Sequence, residues 1–110
     1  MTWEVALALR VKFLQSGGVV GAPRGCELDS SRLPEDDARE LLALVQASGL
    51  LTSGEFLSPA GRDLRLYEIQ VESAAGSVTV TFDDHTLPEE ARPLVSFLRR
   101  NAKPQDRGEL

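Results

Sequence analysis

The chain contains a single cysteine, Cys26, and a single histidine, His85, among its 110 residues. One cysteine cannot form an intramolecular disulfide, so the disulfide-stapled scaffolds of small secreted domains are excluded. One histidine excludes the usual histidine pair of a catalytic zinc site or of a facial iron triad. We therefore expect neither a metal centre nor another cofactor.

Long apolar runs and an excess of basic residues are also missing. No stretch approaches the roughly 20 apolar residues of a membrane-spanning helix, and Glu4, Arg10 and Lys12 interrupt the N-terminal pattern that a signal peptide needs. The net charge of -5 disfavours binding to a phosphate backbone. These absences predict a cytoplasmic protein that binds neither nucleic acid nor a membrane. Basic residues near the C-terminus are interpreted as partners of a helix dipole: Arg99, Arg100, Lys103 and Arg107.

What the sequence does contain is the composition of a globular protein and an internal repeat. Hydrophobic residues make up 42% of the chain and charged residues 26%, which is typical of one folded domain. The segment LPEDDAR at residues 33–39 returns as LPEEAR at residues 87–92, and apolar residues follow both copies at helical spacing. We predict one domain, residues 1–110, built from these segments: unit one at about residues 3–49, a loop at 50–64, unit two at about 65–101 and a frayed tail at 102–110.

Each unit is predicted to contain two strands before its helix. Apolar and polar residues alternate over residues 5–13, and a glycine turn at 16–18 lets the chain return as a second strand over residues 19–29. In unit two the alternation covers residues 67–71 and 78–82, which a short turn connects. The two strands of each unit are therefore expected to pair antiparallel.

Each copy of the repeat begins a helix. Pro34 and Pro88 preset the backbone for a first helical turn, Gly49 ends the first helix, and the second helix runs to about Asn101. The order strand, strand, helix thus occurs twice. It predicts an α+β fold, with a four-stranded antiparallel sheet and both helices on one face, as a pseudo-repeat of strand-strand-helix units.

The chemically versatile side chains have structural interpretations. Cys26 lies on the inward side of a predicted strand, where a cysteine is usually a small buried hydrophobe. Asp83 and Asp84 precede the second helix, and carboxylates at that position usually cap a helix or a turn. The glycine-rich residues 17–21 lack the lysine and hydroxyl residue of a phosphate loop and open no helix. We expect no catalytic residues and a protein that is not an enzyme.

Three segments, taken in order, resemble one protein family. They are residues 13–21 (FLQSGGVVG), residues 26–34 and residues 67–95. The family is that of emfourin, the inhibitor of protealysin, and the resemblance covers almost the whole chain. It implies a small cytoplasmic protein that binds and inhibits a thermolysin-like zinc metalloprotease, often encoded by a neighbouring gene. This chain has Val19 where the family frequently has phenylalanine, and Phe56 inherits no role from the resemblance.

The predicted topology indicates which surface would contact such a protease. If each helix runs back over the sheet, the glycine turn, the loop around Phe56 and the 83–86 connection meet at one end. A thermolysin-like cleft favours a bulky apolar side chain, and a rigidly held turn that presents one can fill it. The opposite end, around residues 28–33, is the competing surface. We predict that the first end enters the cleft and that these residues bind the protease: Ser16, Gly17, Gly18, Val19, Val20 and Phe56.

Two other functions stay open on the sequence alone. One is an acidic interaction domain that binds a partner other than a protease. The other is an enzyme that uses Cys26 or His85, which requires these side chains in an exposed pocket. Trp3 and Phe56 are candidate apolar anchors of a binding surface, and closure of the core over the first helix is the other interpretation of Phe56. The free protein is expected to be monomeric.

Overall fold

A computed structural model describes residues 9–17, 23–49, 53–59, 64–74 and 76–104 of the chain. Within these residues the fold belongs to the α+β class. Its strands are β1 (Arg10–Gly17), β2 (Arg24–Asp29), β3 (Gly54–Phe56), β4 (Arg65–Ser73), β5 (Gly76–Asp83) and β6 (Lys103–Pro104). Its helices are α1 (Glu35–Ala47) and α2 (Arg92–Asn101), and a 3-10 turn precedes each of them: Ser30–Arg32 and Glu89–Ala91.

The predicted four-stranded antiparallel sheet is wrong, because the described residues form a six-stranded mixed sheet in the order β3-β5-β4-β1-β2-β6. The four predicted strands do form its antiparallel centre. β3 adds parallel to β5, and β6 adds antiparallel to β2. Both lie in segments predicted as a loop and a tail, since runs of three and two residues are too short to show an alternating pattern. The rest of the first two predicted strands, residues 5–8 and 19–22, lies outside the described residues.

The two additional strands connect the units of the repeat. After α1 the segment between the units adds β3 to β5 of unit two. After α2 the segment that follows unit two adds β6 to β2 of unit one. The segment after each unit thus extends the sheet beside the other unit, and the repeat is imperfect because one addition is parallel and the other antiparallel.

One face of the sheet carries the core. Alternate residues of the central strands are almost fully buried on it: Val11, Phe13, Tyr67, Ile69, Val80 and Phe82. They pack with Leu41 of α1 and with Leu94 and Leu98 of α2. Both helices therefore cover the same face, and the buried Leu41 and Leu94 occupy equivalent positions in the repeat.

The helix boundaries confirm the signals in the sequence. Pro34 precedes the first residue of α1, and Gly49 follows that helix with a φ of +72°, a conformation that glycine adopts without strain. α2 begins after its 3-10 turn and ends at Asn101. None of the described helices is long and apolar enough to cross a membrane.

Candidate functional site

One end of the sheet brings together the segments that the sequence predicted would meet there. β1 ends at Gly17, which pairs with Arg65 at the start of β4. β5 ends at Asp83, and the parallel strand β3 ends beside it, with Phe56 opposite Phe82. We call this the Phe56 end of the sheet. The opposite end, where β2 finishes, is the Asp29 end.

Three of the predicted binding residues lie at this end, in two separate places. Ser16 and Gly17 finish β1, whereas Phe56 finishes β3. The two strands are three positions apart in the sheet, which corresponds to about 14 Å at ~4.8 Å per strand. The structure therefore places both parts at one end without contact between them. The other predicted residues lie outside the described residues: Gly18, Val19 and Val20. The candidate anchor Trp3 also lies outside them.

Phe56 presents an apolar surface at the edge of the sheet. Its ring stacks on Phe82, with 5.5 Å between the ring centroids, yet 46% of the residue stays exposed. Leu57 follows with 47% exposed, although no pattern in the sequence singled it out. The exposed large hydrophobic residues of the described part of the chain are therefore these two neighbours. Phe56 thus packs on the sheet and still offers a contact surface.

Asp83 fixes the backbone that follows this apolar pair. Its side chain is fully buried, and its Oδ2 accepts a hydrogen bond of 2.6 Å from the backbone N–H of Ser58. Its Oδ1 accepts from the backbone N–H groups of His85 and Thr86 at 2.8 and 3.0 Å. Burial acts to raise the pKa of Asp83, but these N–H groups outweigh burial and lower the pKa to about 2. The ionised carboxylate therefore joins the loop after β3 to the turn after β5.

Asp84 makes a second connection, to the start of β4. Its Oδ1 accepts a hydrogen bond of 2.5 Å from the Tyr67 hydroxyl, and its Oδ2 accepts one of 2.9 Å from the backbone N–H of Arg65. Burial acts to raise the pKa of Asp84, and the hydrogen bonds from Tyr67 and Arg65 outweigh it and lower the pKa. The two adjacent carboxylates thus tie β4, β5 and the loop after β3 together.

Cys26 and His85 are not brought together. Cys26 lies in β2, which is three positions from β5 in the sheet, and His85 follows β5. The Cys26 thiol donates to the carbonyl of Leu98 at 3.6 Å, and burial raises the pKa of Cys26 to about 11. A half-buried thiol with a pKa this high stays protonated and is a poor nucleophile. This arrangement gives no support to the enzyme hypothesis.

The Asp29 end of the sheet is charged rather than apolar. Leu28 and Leu33 are half-buried there and pack against the core. Beside them the Arg10 guanidinium lies 3.7, 3.9 and 4.0 Å from three carboxylates: those of Glu27, Asp29 and Glu72. Within the described residues, an exposed apolar anchor is therefore found at the Phe56 end and not at the Asp29 end.

Comparison with known protein families identifies the chain by its sequence. A family model described as Emfourin matches residues 13–99. The chain belongs to the Emfourin family. The match begins in β1 and ends in α2, so it includes both units of the repeat and β3. No curated protein and no solved structure matches the chain.

Membership of the Emfourin family confirms the resemblance that three sequence segments indicated. It is a family of inhibitors, so the match supports a protease as the class of partner and a protein that acts by binding rather than by catalysis.

Proposed function

We propose that this Emfourin-family protein inhibits a thermolysin-like zinc metalloprotease by inserting the Phe56 end of its sheet into the active-site cleft. The observation that carries the proposal is the exposed pair Phe56 and Leu57, on a segment that the buried Asp83 holds in place. A cleft that accepts bulky apolar side chains gains affinity from burying such a pair.

The inserted segment has to be rigid, because ordering a flexible loop on binding costs affinity. No disulfide is available, since Cys26 is the only cysteine. β3 is instead paired with β5, and the Phe56 ring lies over Gly54, where an added Cβ would meet the ring at 3.0 Å. The hydrogen bond from the Ser58 N–H to Asp83 fixes the next turn of chain. Main-chain and carboxylate contacts thus take the place of a covalent staple.

An inhibitor of this kind must also resist cleavage. A protease needs an accessible, extended segment that can adapt to its cleft. Here Phe56 pairs with β5, and the N–H of Ser58 is bound to Asp83. Cleavage would first require local unfolding of this edge, which contacts on both sides of Leu57 oppose.

The end of β1 supplies the second part of the proposed surface. Gly17 has a φ of +78°, and a Cβ there would meet the backbone oxygen of Leu64 at 3.0 Å. Only glycine fits this close approach without a shift of the backbone. Gly17 therefore sets the direction in which the chain leaves β1 toward the other residues of the proposed surface: Gly18, Val19 and Val20.

The compartment forms part of the same proposal. We place the inhibitor in the cytoplasm, where an unpaired cysteine such as Cys26 is stable and a protease of the same cell is a target.

The test is cleavage of a peptide substrate by the purified thermolysin-like protease of the same organism, with increasing amounts of the protein. We expect saturable inhibition and an inhibitor that stays uncut. The double variant Phe56→Asp/Leu57→Asp should raise the inhibition constant by roughly 100-fold or more, because it places two charges in an apolar contact. Arg32→Glu, an exposed position at the Asp29 end, is the control and should change it by less than about threefold.

Two further measurements keep this test interpretable. Phe56 packs on Phe82, so thermal unfolding of each variant is followed by circular dichroism, and Leu57→Asp alone tests the exposed side chain while retaining that stacking. Inhibition that survives in the folded variants contradicts docking through the Phe56 end. A wild-type protein that inhibits no thermolysin-like protease contradicts the function itself and favours the acidic interaction domain.

A further inference from the structure

A depression with an unusual set of side chains lies beside the C-terminal end of α2. Its volume is about 380 Å³, and the described residues that line it are Gln15, Arg24, Ser96, Arg99, Arg100 and Ala102. Gln15 in β1 is paired with Arg24 in β2. Gln15 lies two residues before Gly17, the last residue of β1. Ser96, Arg99 and Arg100 follow one another at helical spacing on α2. We call this depression the arginine pocket.

The arginine pocket concentrates positive charge on an acidic protein. The chain has a net charge of -5, yet three arginines line this depression and none of its described lining residues is acidic. The amide of Gln15 and the hydroxyl of Ser96 add neutral hydrogen-bond donors. Such a set of donors, without a carboxylate among them, fits a ligand that carries oxyanions.

Two of the guanidinium groups are held in position by the protein. The Arg24 Nη2 donates to the carbonyl oxygen of Ala102 at 3.1 Å, which leaves its other N–H groups available. The Arg100 guanidinium lies 5.6 Å from the centroid of the Phe97 ring and 3.8 Å from a Glu40 carboxylate oxygen. For Arg99 the described residues show no ion pair. Arg99 is thus an arginine of this set whose charge is paired with no carboxylate among the described residues.

A helix dipole alone does not explain this arrangement. Arg99 and Arg100 lie in the last turn of α2, where cations stabilise the helix end. Arg24, however, belongs to β2 and reaches the same depression from the sheet. Its bond to Ala102 reaches the C-cap of α2, so arginines from the sheet and from the helix meet on one concave surface.

We propose that the arginine pocket receives acidic side chains of the bound protease, as a second contact beside the cleft. This inference rests on the proposed function. A guanidinium binds a carboxylate through two parallel hydrogen bonds, and the pocket is far larger than a single inorganic oxyanion requires. It also adjoins the end of β1 that we propose docks, so a protease seated there brings its rim against the three arginines.

The test compares association kinetics of two charge-reversed variants with the same protease. Arg99→Glu should lower the association rate constant by roughly 10-fold at 50 mM NaCl, and the difference should shrink at 500 mM, because salt screens the attraction between charges. Arg32→Glu changes the net charge equally at the Asp29 end and should leave the rate constant within about twofold of the wild type. Arg99→Lys keeps the charge and should restore most of the rate.

A second measurement does not depend on the protease. The arginine side-chain N–H signals of the isotope-labelled protein are followed by NMR during titration with a tetraglutamate peptide, and separately with inorganic phosphate at equal ionic strength. We expect saturable shifts for Arg24 and Arg99 with the peptide, and their loss in Arg99→Glu. Saturation by phosphate alone, or no shift with either probe, overturns the proposal.

The outcomes separate this inference from the proposed function. If the wild type inhibits and Arg99→Glu associates as fast as Arg32→Glu, the arginine pocket plays no part in docking and the inhibitor function stands. If the wild type fails to inhibit, the proposed function is wrong, and so is the proposal that a protease occupies the arginine pocket. The peptide titration then decides whether the pocket binds carboxylates of another partner.

Discussion

Asp29 and Asp83 occupy equivalent positions in the repeat, each four residues before the leucine-proline pair that precedes a helix. Both finish a strand, and both accept a hydrogen bond from the backbone N–H two residues later: Ser31 at 3.0 Å and His85 at 2.8 Å. Because β2 and β5 run in opposite directions, the two carboxylates lie at opposite ends of the sheet. The same local signal therefore marks both ends.

The two carboxylates differ in what else they bind. The Asp29 side chain stays 29% exposed and has Arg10 3.9 Å away, whereas Asp83 is fully buried and also binds the N–H of Ser58. The difference arises because β3, in the segment between the units, pairs with the edge of β5 and brings the loop after it onto Asp83. Asp83 thus caps a local turn and also binds a distant segment, whereas Asp29 caps a local turn. The long-range contact occurs at the end that presents Phe56 and Leu57.

The largest expected difference between the two ends is in stability. Asp83→Ala removes the acceptor for the N–H groups of Ser58, His85 and Thr86, and should lower the thermal unfolding midpoint by roughly 10 °C or more. Asp29→Ala exposes the N–H of Ser31 to water and should lower it by roughly 3 °C. Thermal melts followed by circular dichroism measure both values.

The same pair of variants should separate stability from inhibition. At a temperature where both are folded, Asp83→Ala loosens the loop after Phe56 and should weaken protease inhibition, while Asp29→Ala should inhibit as the wild type does. Asp83→Asn, which keeps one carbonyl acceptor, serves as an intermediate. Equal losses of stability in Asp83→Ala and Asp29→Ala would mean that the hydrogen bond between Asp83 and Ser58 adds nothing to the stability of the fold.

A second comparison concerns the close approach of backbones at the Phe56 end. Gly17 and Gly49 have similar positive φ values, +78° and +72°, but a Cβ on Gly17 would meet the Leu64 oxygen at 3.0 Å, whereas a Cβ on Gly49 would meet nothing within 4 Å. Gly49→Ala should cost about 1 kcal/mol for the backbone conformation alone. Gly17→Ala should cost about 2–3 kcal/mol. Urea unfolding of both variants isolates the steric contact, and equal costs would exclude it.

The sequence predicted the parts of the fold that long patterns encode. Alternation over residues 67–71 and 78–82 predicted the central hairpin, and the repeated helix start placed Leu41 and Leu94 in the core. β3 and β6 were missed because their pairing depends on where the chain returns after each helix, which two or three residues cannot specify. The error in the sheet is therefore confined to its edges.

The candidate site shows the same limit. Phe56 was singled out as an unplaced aromatic residue, while Leu57 was not, because a lone leucine in a loop carries no periodic signal. Asp83 was expected to cap a turn, and its bonds to His85 and Thr86 confirm this. Its burial depends on Ser58, which is 25 residues away in sequence. The local sequence therefore predicted the turn cap but not the hydrogen bond with Ser58.

The smallest predicted difference between the two ends is their response to acid. Hydrogen bonds involving Ser31 lower the pKa of Asp29, and the N–H groups around Asp83 lower its pKa from an ordinary value of 3.8 to about 2 despite burial. A carboxylate with a lowered pKa stabilises the folded state above its unfolded-state pKa, and this contribution is lost as the pH falls from about 4 toward 2. Asp83→Asn should therefore flatten the fall in the free energy of unfolding between pH 4 and 2.5 more than Asp29→Asn does.

Some dependence should remain in Asp83→Asn, because the pKa of Asp84 is also lowered. Urea unfolding at half-unit pH steps measures the slopes, and an unchanged slope in Asp83→Asn would show that its carboxylate is no better stabilised in the folded than in the unfolded chain.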